Sequence, residues 1–343
     1  MAKPVLSVVI PVYNTAGTLK YCLDSVLTQD FPDLEVVCID DASSDGSLEC
    51  LRGFSETDQR VKVLRHEQNR GRLEARRTGV DHAEGEFIMF LDSDDSFDNG
   101  LCGAAVDAIR KHDADMLQFS ARQINVESGK KDIILPFTGD VPGKDLLNRF
   151  FITREISSTL WQKIYRSGLC RKAYREIPKL QSNMGEDILI SFFLAYFAGS
   201  FSGVNTRKKY NYYLGKGISS TVMITPEKYR HYCEMSQLSR IVREFLQKNN
   251  AEMSAISAYN HMTVRLLSDC CSAFALVPET SREQASEMFW RSWRDVPGFE
   301  RFLLDAFADR KGYIDSIYRS ESYKLGNAVI TPLRNIKAII SGN

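Results

Sequence analysis

The sequence of 343 residues has no long apolar run, no paired-cysteine motif and no excess of charge of either sign. Each absence removes a class of protein. Without a run of roughly 18–20 apolar residues there is no candidate bilayer span. The opening "MAKPVLSVVIPVYN" lacks the apolar core and small-residue cleavage site of a secretory signal, so the expected location is the cytoplasm. Lys plus Arg and Asp plus Glu each total 44, leaving no bulk positive charge to gather nucleic acid. The eight cysteines form no Cys-x-x-Cys pair and no zinc-ligand spacing with the five histidines. Several, such as Cys38 in "LEVVCID", read as small buried hydrophobes of a reducing compartment. No Gly-x-Gly-x-x-G follows the first apolar run, which argues against a dinucleotide oxidoreductase. The glycine-rich phosphate loop of a sugar nucleotidyltransferase is missing as well, with "IPVYNTAGTL" in its place.

What is present is alternation. Short β-branched runs at 5–10, 34–40, 61–65, 87–92 and 114–120 are separated by helical patterns. After Gly17, residues Leu19, Cys22, Leu23, Val26 and Leu27 share one helix face. Strands apolar throughout, with helices between them, predict an α/β fold with a mostly parallel, Rossmann-like central sheet flanked by helices. Such sheets bind ligands at the carboxyl ends of their strands. Tyr13-Asn14, Asp40-Asp41 and Asp92 to Asp95 each follow a strand, so all three are expected on one edge. "GEDILISFFLAYFAG" (185–199) reads as a helix entered by two acids and ended at Gly199, and from Pro226 the pattern is mostly helical. The expected organisation is an α/β domain over 1–220 and a helical C-terminal region over 221–343. The stretch 324–341 interleaves apolar residues with Lys324, Arg334 and Lys337. It fits either a helix lying on an anionic membrane surface or one docked on its own domain.

The chemistry concentrates in "GEFIMFLDSDDSFDNG" (85–100), where an apolar run meets Asp92-Ser93-Asp94-Asp95. An EF-hand loop is excluded, because its sixth and twelfth positions would be Phe97 and Gly103 rather than Gly and an acid. A phosphatase of the haloacid-dehalogenase type would use the first Asp as nucleophile. It is disfavoured by Ser96, where that family has Thr or Val, and by Ser191 four residues beyond Asp187. Turns and helix caps explain one or two of the acids. Three acids in four residues beside Asp40-Asp41 repel one another, and a divalent cation relieves that repulsion. Mg²⁺ or Mn²⁺ held by one or two carboxylates plus substrate phosphates suits an Asp-x-Asp at a strand end. A nucleotide whose diphosphate departs then needs a base for the attacking hydroxyl. Glu186-Asp187 at a helix start is the candidate, against the plain alternative of acids partnering a helix dipole.

Four blocks in order carry a family resemblance: "SVVIPVYN" (7–14), "LEVVCIDDASSDGS" (34–47), "NRGRLEARRTGVDHAEGEFIMFLDSDD" (69–95) and "MGEDILISFFLA" (184–195). Over about the first 215 residues the chain resembles the family 2 glycosyltransferases, the inverting group with the GT-A fold, in the branch that builds bacterial surface polysaccharides. The resemblance implies metal-dependent transfer from a nucleotide sugar, most often a UDP-sugar, to a glycan or lipid-linked glycan at the inner membrane face. It implies that Tyr13 lies against the nucleotide base, that Asp41 accepts a hydrogen bond from it and that Arg76 positions the nucleotide. Asp92 would meet the ribose or the metal, Asp94 would bind the metal directly, and Asp187, supported by Glu186, would be the base. "YNYYLGKGISST" (210–221) is expected to close over the donor diphosphate. A sugar-nucleotide-binding module that has lost catalysis is disfavoured because Asp92, Asp94 and Asp187 are all present. Ala42 stands where the family usually has Gly, and Arg77 where it often has Asn.

Overall fold

The structure, a computed structural model, describes residues 3–214 and 223–299. The expected closing segment lies outside them beyond Leu214, and so does the basic-apolar stretch 324–341. The chain divides into two compact units, Met1–Ser220 with Asn249–Ala258 and Thr221–Lys248 with Tyr259–Asn343.

In the first unit the leading strands are β1 (Leu6–Val12), β2 (Leu34–Asp40), β3 (Val61–Arg65) and β4 (Phe87–Phe90). Every residue of β1 and β2 is buried, as continuous apolar runs of a sheet covered on both faces require. The expected strand at 87–92 stops at Phe90 because the chain turns there, with the Asp95 amide donating to the Asp92 carbonyl at 3.0 Å. These four strands pair in parallel in the order β3-β2-β1-β4. The sheet then continues with β10 (Lys163–Arg166), β6 (Met116–Gln118), β11 (Ser200–Gly203) and β9 (Gly139–Pro142). Direction reverses at β10, which is antiparallel to both β4 and β6. A second sheet, in the order β5-β12-β7-β8, joins β5 (Ser96–Phe97), β12 (Tyr210–Leu214), β7 (Ala121–Asn125) and β8 (Lys131–Ile134).

The helices of this unit include α1 (Ala16–Leu27), α2 (Ser47–Thr57), α3 (Arg72–His82), α4 (Leu101–His112), α5 (Gly143–Leu147), α6 (Ser167–Glu176) and α7 (Glu186–Phe197). The apolar face of α1 buries Leu19, Cys22, Leu23 and Val26 in the same core as β1 and β2. Helix α3 approaches the sheet at Gly79, where an added Cβ would overlap the Val9 side chain and lie 2.8 Å from Ile39 Cδ1. Adjacent parallel strands β2, β1 and β4 release Asp41, Tyr13 and Asp92 from one sheet edge, which is the geometry that brings separate loops to one ligand.

The second unit is built on α8 (Pro226–Lys248), the part of α9 (Met253–Phe274) from Tyr259 onward, and α10 (Arg282–Trp293). Ser239 of α8 shares a buried hydrogen bond with Thr263 of α9 at 2.8 Å, and Trp293 is fully buried. No helix of the described residues is long and apolar enough to cross a membrane.

Candidate active site

A single guanidinium organises the site. Arg76, on the buried face of α3 and 1% exposed, donates from Nη2 to Asp92 Oδ1 at 2.8 Å. From Nη1 it donates to Asp187 Oδ1 at 2.9 Å and to Glu186 Oε1 at 3.1 Å. The acid that ends β4 and the acid pair that opens α7 therefore meet on one cation. Arg72, one turn earlier on the same helix face, adds an ion pair from Nε to Glu186 at 3.0 Å and a bond from Nη2 to the Asn183 carbonyl at 2.6 Å. Glu186 is buried between the two arginines, while the Asp187 side chain remains 30% exposed. Burial lifts Asp187 to about 6; Arg76 and Arg72 pull it down, and Glu186 and Asp92 push it further up.

The Asp92–Asp95 turn is held from two sides. Thr18 of α1 donates to the Ser93 carbonyl at 3.1 Å. The Tyr210 hydroxyl of β12 donates to Asp95 Oδ2 at 2.7 Å and accepts from the Asp92 amide at 3.2 Å, and the Tyr213 amide donates to Asp95 Oδ1 at 2.9 Å. Asp95 thus serves the fold of the turn. Burial, with the Asp92 and Asp94 charges beside it, pushes its carboxyl up to about 8.

Asp41, expected to accept a hydrogen bond from the nucleotide base, is buried with protein partners on both carboxylate oxygens. Its Oδ1 accepts from the Arg70 amide at 2.9 Å and pairs with His66 Nδ1 at 2.6 Å, and its Oδ2 accepts from the Gly71 amide at 2.8 Å. The buried carboxylate is engaged in the loop that leads into α3. Gly71 itself has φ +85° and packs on Ser182, a close approach with a left-handed backbone that suits glycine. Tyr13, by contrast, is 45% exposed at the end of β1. Its loop is tied to the next one: the Asn14 amide donates to Ser43 Oγ at 3.0 Å, and the Ser44 amide donates to Asn14 Oδ1 at 2.8 Å.

His66, Arg72 and Asn183 belong to this network without a role expected from the sequence, and Tyr210, first residue of the stretch expected to close over the diphosphate, here holds the Asp92–Asp95 turn. Only Arg72 left a usable sign, its spacing of four from Arg76 on a helix. His66 and Tyr210 act through contacts to residues 25 and 115 positions away, which no local pattern announces.

Residues 7–177 match the model of the family described as glycosyl transferase family 2. The chain belongs to this family. Among its relatives, glycosyltransferase GlyA of Streptococcus pneumoniae is 28% identical over 236 residues, covering 66% of this chain and 32% of GlyA. The chain spans between 32% and 60% of the length of the first three curated relatives it matches. The structure of S. aureus TarS 1-349 in complex with UDP-GlcNAc is similar with a TM-score of 0.55 at 22% identity, covering 87% of this chain and 91% of that one. Mannosyltransferase PcManGT from Pyrobaculum calidifontis in complex with GDP-Man and Mn²⁺ gives a TM-score of 0.50 at 17% identity, covering 80% and 75%. At these identities the two structures bear on the fold.

Among the described residues no group of three or more His, Cys, Asp or Glu side chains is arranged to hold a metal ion. A cation shared with a diphosphate needs fewer protein ligands, one or two carboxylates. Asp92 and Asp94, both half-buried in the turn after β4, would supply that number. The donor set fits Mg²⁺ or Mn²⁺ completed by phosphate oxygens rather than an all-protein cage.

Proposed function

We propose that this family 2 chain is an inverting glycosyltransferase that moves a sugar from a nucleotide diphosphate, a UDP-sugar, to a hydroxyl of a glycan or lipid-linked glycan in cell-surface polysaccharide synthesis. The observation that carries the reading is the Arg76 bridge, which ties the donor-side carboxylate Asp92 to Asp187 through one guanidinium. The UDP-GlcNAc complex of TarS and the GDP-Man and Mn²⁺ complex of PcManGT support a nucleotide-sugar donor on this fold.

In this reading residues 1–220 form the catalytic domain. Tyr13 presents its exposed ring to the nucleotide base. Asp41 orders the 69–71 loop beside it, with acceptor capacity left on Oδ2 for the base. Asp92 and Asp94 would hold the metal that accompanies the donor diphosphate. Bound Mg²⁺ or Mn²⁺ supplies neutralisation of the charge that develops on the leaving diphosphate. Inversion then needs one general base on the opposite face of the sugar, and Asp187 takes that role. Its carboxylate is exposed enough to meet a hydroxyl, and burial has raised its proton affinity toward neutrality. Glu186, held by Arg72 and Arg76, fixes the first turn of α7 on which Asp187 stands.

The test is Asp187→Asn, assayed by UDP release from a set of UDP-sugars and by calorimetric binding of UDP with Mn²⁺. Loss of turnover by at least a hundredfold with UDP affinity within threefold is the expected result. Turnover near the wild-type rate places the base elsewhere.

A further inference from the structure

Lys163, at the start of β10, is 1% exposed and has no part in the scheme above. Its ammonium donates to the Ser157 carbonyl at 2.8 Å and the Thr159 carbonyl at 2.6 Å, and lies over the Phe150 ring, 5.8 Å from its centroid. The two remaining carbonyls of the same loop are also taken by buried side chains. Ser191 of α7 donates to the Ser158 carbonyl at 2.8 Å, and Tyr165 of β10 donates to the Leu160 carbonyl at 3.0 Å. Four successive carbonyls are thus turned inward and satisfied, so the hydroxyls of Ser157 and Thr159 stay at the surface, 3.1 Å apart. The loop ends at Trp161, whose ring stacks on Tyr210 at 4.9 Å and Tyr212 at 5.1 Å. It therefore runs from the helix of Asp187 to the strand that holds the Asp92–Asp95 turn.

We propose that Lys163 is a positioning residue for transfer: together with Ser191 it fixes the 157–160 loop between β10 and α7, the helix that carries Asp187, and its buried ammonium acts on that carboxylate. This rests on Asp187 being the base. The charge acting on Lys163 is that of Asp187, and burial lowers the ammonium to about 7, so it is still largely protonated where Asp187 ionises. Asp187 is faced by Arg72 and Arg76 of α3, Glu186 of its own helix, Asp92 beyond β4, Lys163 and Tyr165 of β10, and Tyr174 of α6. Arg72 is paired with Glu186, and Arg76 is shared among Glu186, Asp92 and Asp187 itself. Lys163 is the cation whose partners are uncharged, so its field falls on Asp187 without being spent on a carboxylate of its own. A buried ammonium held by carbonyls and a ring face, with no carboxylate partner, is costly to keep, which is an argument for a role beyond packing.

The test uses the full chain, UDP with Mn²⁺ for binding, and whichever of UDP-GlcNAc, UDP-glucose and UDP-galactose releases UDP fastest for turnover. Lys163→Met is expected to leave UDP affinity and donor KM within twofold and to lower kcat at least tenfold. It should also move the acid limb of the pH–kcat profile up by about 0.5–1 unit, because an opposite charge beside Asp187 has been removed. Ser191→Ala releases the loop without touching the cation; kcat should fall about threefold with the limb in place. If Lys163→Met does not fold, Lys163→Gln removes the charge, keeps one donor for the carbonyls and is expected to show the same limb shift. A folded charge-removing variant with wild-type kcat and limb overturns the proposal; reduced kcat with an unmoved limb overturns the electrostatic role. An active Asp187→Asn instead defeats the base assignment itself.

Discussion

A carboxylate takes a proton from an attacking hydroxyl only while it is ionised, so the environment of Asp187 sets the pH at which this site works. Burial lifts that carboxyl to about 6. Activity should therefore fall below pH 6 with a single-proton limb, read as kcat for UDP release, and decline again above about 7, where Lys163 loses its proton. An acid limb near pH 4 would indicate an unperturbed carboxylate and count against Asp187. Stability runs the other way: a carboxyl raised on folding binds its proton more tightly in the native state. Its contribution is present below the unfolded pKa near 4 and weakens as pH rises through 6. Ala42 offers a second test at this scale. Its φ of +60° places an L-residue in the left-handed region, which costs roughly 1–2 kcal/mol. Glycine avoids that cost and loses roughly 0.5–1 kcal/mol of it again through greater freedom in the unfolded chain. Ala42→Gly should raise stability by about 0.5–1 kcal/mol in urea denaturation; a lower midpoint refutes it. The family comparison marked this position from sequence, but the strain itself lies in a backbone angle that no composition reveals.

Helix α3 is the element that delivers Arg72 and Arg76, and its seating on the sheet depends on the missing side chain of Gly79. Gly79→Ala would force a methyl onto Val9 and Ile39, at a cost of about 1–3 kcal/mol for overpacking. Because the same helix carries the guanidinium shared by Asp92 and Asp187, kcat should fall by more than the loss of folded protein explains. Circular dichroism for the folded fraction and UDP release for turnover, measured on one preparation, separate the two effects. An active, fully stable variant would mean that α3 can shift without consequence. The strands and α1 were legible because apolar periodicity reports burial directly: β2 and β3 occupy the expected residues, and Leu19, Cys22, Leu23 and Val26 face the core. The reversal at β10 was not, since a four-residue strand such as "KIYR" reads the same whether its neighbour runs parallel or antiparallel. The second sheet was hidden for another reason. Strand β5 has two residues, and β8 is exposed at three of its four, so neither shows a hydrophobic period.

Taken over the whole chain, 44 basic and 44 acidic residues cancel, yet the described site gathers Asp92, Glu186 and Asp187 around Arg72 and Arg76, with Asp94 and Asp95 in the same turn as Asp92. Net charge could not show this, because local excess disappears in the sum; the ordered blocks of acids did. The surplus of carboxylates has a thermodynamic consequence for the protein as a unit. A ligand that binds only the native state stabilises it by mass action, about 2.7 kcal/mol at a hundredfold excess over its dissociation constant. UDP alone should raise the melting temperature modestly, since its diphosphate adds negative charge to an acidic site. Mn²⁺ with UDP should raise it by several degrees more, the two ligands binding cooperatively because each relieves the charge of the other. Asp94→Ala should keep the fold, as the turn is anchored through Ser93, Asp95 and the Asp92 backbone. The same variant should lose the Mn²⁺ increment while retaining or strengthening the response to UDP alone. A Mn²⁺ increment of wild-type size in Asp94→Ala would mean that the cation is held by other groups, and the assignment of this carboxylate as its ligand would be wrong.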